Sequence, residues 1–219
     1  MINRRPFAAA LSGGLVALAF ALVAAGPRPA AASPEMEKDA GAFIESLSKQ
    51  AVASLTDQKV TRAERIDRFR TMFNESFAVE PIGRWLLGPH WRRATDAEKK
   101  EYLVLFEDLM VVSYVDRFAE YAGTALKVNR AVTENEKHIT VFSEIARPSG
   151  SQPVRVDWRV GKGDAGYKIV DVIVEGTSMS ITMRSDFTSV INQKGGAVSG
   201  LIDVLREKTA SLKQEAERK

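Results

Sequence analysis

Residues 167–187 read Tyr-Lys-Ile-Val-Asp-Val-Ile-Val-Glu-Gly-Thr-Ser-Met-Ser-Ile-Thr-Met-Arg-Ser-Asp-Phe. The run opens with branched aliphatics from Ile169 to Val174, a strand signal. Both of its alternating sets are largely apolar: Val170, Val172 and Val174 in one, Tyr167, Ile169 and Ile173 in the other. A strand apolar in both sets is expected to be covered on both faces. Two carboxylates, Asp171 and Glu175, interrupt it, and Gly176-Thr177-Ser178-Met179 leads out towards a helix.

Upstream of this stretch the period is already two. Strands are expected at about 126–132, 138–146, 154–160 and 167–175, separated by short turn-rich segments. Short turns between successive strands make antiparallel hairpins, so the expectation is a four-stranded meander. Gly161 to Gly166 matches G-x-G-x-x-G literally, but a strand follows it instead of a helix, so the glycines are read as a hairpin turn.

Before the meander the period is helical. Phe43, Ile44, Leu47, Ala51 and Leu55 form one apolar stripe. Thr61 with Glu64 makes a capping-box pattern ahead of Ile66, Phe69, Phe73 and Phe77. The other side of that second helix carries Arg62, Arg65, Arg68 and Arg70, read as a solvated face. A short helix over 79–87 has Pro81 in its first turn and Gly88 at its stop. Thr95 and Glu98 repeat the capping box and open the longest helix, to about residue 122. Tyr102, Leu103, Phe106, Leu109 and Met110 give it a core stripe, and Val104, Leu105, Val111, Val112 and Val115 extend apolar character round most of its circumference. Such a helix is buried on most sides. After Ser178 helical segments are expected at about 184–193 and from Val198, with a charged, frayed tail from about 208. Helices, an antiparallel sheet and further helices describe an α+β domain with helices packed on one face of a curved sheet.

The chain has 219 residues and a formal charge of +3. Residues 1–32 hold Arg4, Arg5 and Arg28 and no acid, so the remainder carries 28 basic and 28 acidic residues. That neutrality argues against a nucleic-acid partner. The same N-terminal segment has two arginines, an apolar run over 8–25 and Ala30-Ala31-Ala32, the features of a cleaved signal peptide, here with a twin-arginine-like start. One domain over 33–219 is expected to be exported. It contains no cysteine, which leaves neither disulfide nor thiol chemistry.

Catalytic patterns are scarce. His90 and His138 are the only histidines, with no spacing that suggests a metal site. Asp171 and Glu175 lie about 13 Å apart along one strand, at roughly 3.3 Å per residue, too far for a paired-carboxylate hydrolase. Asp157 could approach Asp171, or Arg155 or Arg159 could pair with it. Structural ion pairing or capping is the preferred role for these acids. No cofactor is expected.

Several blocks, taken together, carry a resemblance. They are Leu87 to Thr95 (Leu-Gly-Pro-His-Trp-Arg-Arg-Ala-Thr) followed by a helix with Phe106, Leu109 and Tyr114; Pro153 to Arg159; Tyr167 to Val172; Glu175 to Met179; Arg184 to Phe187; and Gly195-Gly196. Over roughly residues 40–207 the chain resembles the toluene-tolerance, or MlaC, family of periplasmic phospholipid-binding proteins. Tyr167 stands where that family often has tryptophan. The resemblance implies an NTF2-like cone with an apolar cavity, and no enzyme activity. It implies a monomeric periplasmic shuttle carrying phospholipid between an inner-membrane ABC transporter with an MCE-domain ring and an outer-membrane lipoprotein complex, so maintaining outer-membrane lipid asymmetry. A sibling branch implies hopanoid cargo instead. The expected cavity lining is Val156, Trp158, Val172 and Val174 from the sheet and Phe106, Leu109 and Met110 from the long helix, with Trp85 and Met179. Alternation alone leaves open which half of the strand residues faces inward. An NTF2-like enzyme with Asp157 or Asp171 as general base is the competing expectation.

Overall fold

The computed structural model describes residues 34–55, 59–121, 124, 126–147 and 151–217, so the expected signal peptide lies outside the described residues. Helices α1 (Pro34–Leu55), α2 (Arg62–Ser76), α3 (Val79–Leu87) and α4 (Asp96–Tyr121) come first, with a short 3-10 turn at Gly88–Arg92. Strands β1 (Leu126–Asn135), β2 (His138–Ile145), β3 (Val154–Gly163), β4 (Gly166–Val174) and β5 (Thr177–Ser178) follow, then α5 (Met179–Gln193) and α6 (Val198–Glu217). The sheet is antiparallel in the order β1-β2-β3-β4-β5.

Local chemistry accounts for the element starts. Thr61 and Glu64 exchange both capping-box bonds at α2. Thr95 and Glu98 do the same at α4, with Glu98 Oε2 accepting from the Thr95 amide at 2.8 Å. Each box satisfies amides that the first helical turn leaves without partners. Gly163 pairs with Gly166 across a two-residue reversal, so the glycine-rich motif is a β3–β4 hairpin.

The expected four-stranded sheet has a fifth strand. Glu175 (φ 49°) and Gly176 (φ 82°) form a two-residue turn with both φ values positive, and it returns Thr177 and Ser178 alongside Val174 and Ile173. This is the geometry that matches the twist of a hairpin. Helix α5 then starts at Met179, earlier than the periodicity suggests, because Ser178 Oγ accepts the Ile181 amide as its cap.

The two-faced appearance of β4 also has a different cause from the expected one. Arg159 pairs with Asp171, but Val160 pairs with Ile169, which leaves Val170 as an extra residue. This bulge shifts the alternation by one position. Tyr167 and Ile169 before it, and Val172 and Val174 after it, therefore share the face of Lys162, Val160, Trp158 and Val156, their respective partners. That is the helix-covered face: Ala40, Ile44 and Leu47 of α1 pack with Ile139, Val141, Val156, Trp158, Val160 and Ile169.

The opposite face is held by polar pairs. Arg155 reaches Asp157 at 2.6 Å, Arg159 reaches Glu134 at 3.1 Å, and the Arg130 guanidinium lies 4.1 Å from the Phe142 ring centroid. Asp157 is thus a structural ion-pair member, as the sequence suggests. No coverage of this face by apolar layers is needed.

Helix α4 sits among the other helices. Tyr102 and Phe106 pack with α3, α5 and α6, while Val111 and Val115 pack with Leu55 of α1 and Phe69 and Phe73 of α2. The basic side of α2 is only partly solvated: Arg70 bridges Glu107 and Asp108 of α4, each at 2.7 Å, and Arg62 binds Asp116 at 2.9 Å. Helical structure extends beyond 208, into the segment expected as a tail. Helix α6 continues to Glu217, with Thr209 buried and Lys213 bonded to Asp108 at 2.9 Å. A helix stays formed where one face packs and its charges find partners.

Candidate ligand-binding pocket

Between the helices and the inner sheet face lies a pocket of about 290 Å³. Its floor is the sheet: Ile145 of β2, Val154, Val156 and Trp158 of β3, and Val172 and Val174 of β4 from the helix-side face, joined by the bulge residue Val170 and its neighbour Asp171. Helix α2 supplies Phe69 and Phe73, followed by Phe77, and α3 supplies Ile82 and Leu86. Helix α4 contributes Phe106, Met110 and Tyr114, and α5 contributes Met179, Ser180 and Met183. The lining is almost wholly apolar.

Spacing explains the walls. Phe69, Phe73 and Phe77 are four residues apart, as are Phe106, Met110 and Tyr114, so each set forms a single stripe along its chain segment. Phe73 and Phe77 meet with ring centroids 4.7 Å apart. The floor is fixed by a buried relay: Trp158 donates its indole N–H to Ser143 Oγ at 3.0 Å, and Ser143 donates to the Val156 carbonyl at 2.7 Å. Trp158 can therefore present its ring to the pocket without an unsatisfied donor.

Of the residues expected from sequence, Phe106, Met110, Val156, Trp158, Val172, Val174 and Met179 meet at this pocket. Leu109 does not. It packs on the cluster formed by α3, α5 and α6, because a helix apolar on nearly all sides gives no indication of which side faces a cavity. Trp85 does not either: α3 turns Leu86 inward and leaves Trp85 43% exposed beside Arg184. The sequence reading missed the contribution of α2, although the inward spacing of Phe69, Phe73 and Phe77 was the available signal.

Asp171, Ser180 and Tyr114 are the few polar residues that join this lining, and the first two are neighbours through a hydrogen bond. Asp171 Oδ1 accepts from the amides of Val172 (2.9 Å) and Ser180 (3.0 Å), and Oδ2 accepts from Ser178 Oγ (2.6 Å). The carboxylate thus occupies the electropositive start of α5, where helix amides lack partners. Glu175 accepts the Arg155 amide at 3.0 Å and closes the neighbouring turn. Both acids are placed as anchors of the β4–β5–α5 junction.

The family model described as "MlaC protein" matches residues 45–207. The chain belongs to the MlaC family. A curated family member from Haemophilus influenzae, the intermembrane phospholipid transport system binding protein MlaC, is 18% identical over 120 residues, 53% of this chain and 56% of the relative. The chain thus spans little more than half the length of the curated relative it matches. A solved structure from Ralstonia solanacearum, a phospholipid-binding protein in complex with a phospholipid, shares the fold with a TM-score of 0.70 at 22% identity, covering 80% of this chain and 98% of that one. Among the described residues no helix is long and apolar enough to cross a membrane.

Proposed function

We propose that this chain is a periplasmic carrier that holds the acyl tails of a phospholipid in the pocket between α2–α5 and the sheet. The single observation that carries this reading is the pocket's lining, which is almost wholly apolar on its helix and sheet walls alike. It offers acyl tails an oil-like interior. The family membership and the phospholipid-bound structural relative support the same cargo class.

The reading places helices over one face of a curved sheet as an NTF2-like cone. Its size agrees with partial filling: 290 Å³ is at the lower edge of the ~300–1,000 Å³ typical of small-molecule sites, so loading two tails requires the helices to move off the sheet. Exchange between bilayer and pocket moves tails from oil to oil. Release into water would cost ~0.8 kcal/mol per methylene, on the order of 20 kcal/mol for two chains. Unloading therefore takes place while docked, to an MCE-domain ring of an inner-membrane ABC transporter or to an outer-membrane lipoprotein complex, and the traffic maintains outer-membrane lipid asymmetry. Asp171, with both oxygens engaged, serves as an anchor and not as a catalytic base.

The test is lipid uptake. Stripped protein is mixed with vesicles of phosphatidylethanolamine and phosphatidylglycerol, the vesicles are sedimented, and lipid phosphorus is measured in the supernatant. The reading predicts phosphorus in proportion to protein; supernatant phosphorus no higher than in a protein-free control contradicts it. Recovery of a hopanoid in preference to phospholipid from a native extract would reassign the cargo.

A further inference from the structure

Two sequence blocks that do not line the pocket, one ending α3 and one on α5, come together outside it. Gly88 follows α3, and Arg184 lies on α5; a Cβ at Gly88 would sit 2.7 Å from an Arg184 guanidinium nitrogen. Gly88 has φ 52°, a backbone conformation that costs glycine little. On the other side the Arg184 guanidinium stacks 4.5 Å from the Trp85 ring centroid. The half-buried cation is thus held between an indole and a bare backbone.

Its donors are unspent. Arg62, Arg70, Arg155, Arg159 and Arg206 each bind a carboxylate, whereas none of the described residues hydrogen-bonds or ion-pairs with Arg184. Arg184 lies one helical turn beyond Ser180 and directly after Met183, both of which line the pocket, and Trp85 directly precedes the wall residue Leu86. Residues four apart on a helix share a face. A guanidinium fixed in this way presents a planar donor fork suited to phosphate oxygens.

We infer that Arg184, positioned by Trp85 and Gly88, binds the phosphate of the cargo lipid's headgroup outside the pocket. The inference rests on the acyl-tail reading of the pocket and adds to it a selection for phosphorylated lipid over an uncharged lipid with the same tails. The tails supply affinity, and Arg184 supplies headgroup class.

The experiment compares binding of a phosphatidylglycerol and a diacylglycerol of identical tails, each presented in vesicles, by the full-length mature chain and by Arg184→Gln. Losing hydrogen bonds to a charged group predicts a roughly ten- to hundredfold fall in the phospholipid-over-diacylglycerol preference, with diacylglycerol binding unchanged. Gly88→Ala, which keeps the charge but crowds the guanidinium, is expected to lower the same preference. A preference unchanged in both variants overturns the inference while leaving the pocket reading intact. Wild-type protein that binds neither lipid overturns both. Inorganic phosphate is the third arm: if it competes with phosphatidylglycerol in the wild type at concentrations comparable to the lipid, Arg184 is a free-phosphate site and the headgroup assignment fails.

Discussion

Trp158 and Ser143 are joined across β3 and β2 by an indole-to-hydroxyl hydrogen bond of 3.0 Å, in a place where neither group meets water. The pocket floor depends on this pair. Replacing Ser143 with alanine leaves the buried indole N–H without an acceptor, at a cost of about 1–3 kcal/mol. Chemical denaturation of Ser143→Ala should show that loss, and Trp158→Phe combined with it should recover part of it, because both partners are then apolar. Equal stability of Ser143→Ala and wild type would show that the relay contributes nothing.

Val172 pairs directly with Trp158, and both side chains line the pocket. Val172→Trp should fill part of the pocket, so on the proposed reading co-purifying lipid should fall severalfold with far-UV circular dichroism unchanged. Leu109→Trp is the contrasting variant. Leu109 packs against the helix cluster and not into the pocket, so its overpacking should cost about 1–3 kcal/mol of stability.

Asp108 joins α2, α4 and α6 through Arg70 and Lys213. Burial alone would raise its pKa, but the hydrogen bonds and charges of Lys213 and Arg70 override this and hold it below its ordinary value of 3.8. A depressed carboxylate pKa means stability that is fully present above the unfolded value and is lost as pH falls through the folded one. The stability gap between wild type and Asp108→Asn should therefore be widest above about pH 4–5 and narrow below pH 3.8. Unfolding midpoints measured against pH for both proteins check it; a gap that stays constant to pH 2 contradicts it.

Tyr102 behaves oppositely at alkaline pH. Its hydroxyl donates to the Gly83 carbonyl at 3.0 Å, and burial pushes its pKa well above the ordinary 10.0. A raised value contributes stability below the unfolded pKa that is lost as pH rises past it. Wild-type stability should decline above pH 10.0, and Tyr102→Phe should show a shallower decline from a start about 1 kcal/mol lower. Ultraviolet titration should show Tyr102 ionising only with unfolding.

Much of this architecture can be read from local chemistry. The capping boxes at Thr61 and Thr95, the stop at Gly88 and the hairpin at Gly163–Gly166 are decided by neighbours a few residues away, and each forms as its residues suggest. Where an outcome depends on distant partners, the sequence is silent. Val170 is indistinguishable from its neighbours in composition, yet it is the bulge residue that turns Val172 and Val174 to the face already held by Ile169. The phase of α4 is hidden for the same reason, since Leu109 and Met110 are equally apolar and only the packing of α5 and α6 separates them. The helix past residue 208 brings Lys213 beside Asp108, a long-range pairing that no local pattern reveals.

The central claim is that acyl chains occupy the pocket walled by Phe73, Phe106, Trp158 and Val172. Native mass spectrometry of the protein purified from a periplasmic extract tests it most directly. The account predicts a mass excess over the polypeptide that releases phospholipid on activation and is reduced severalfold in Val172→Trp. A protein that flies at its polypeptide mass alone, even after incubation with phospholipid vesicles, would contradict it.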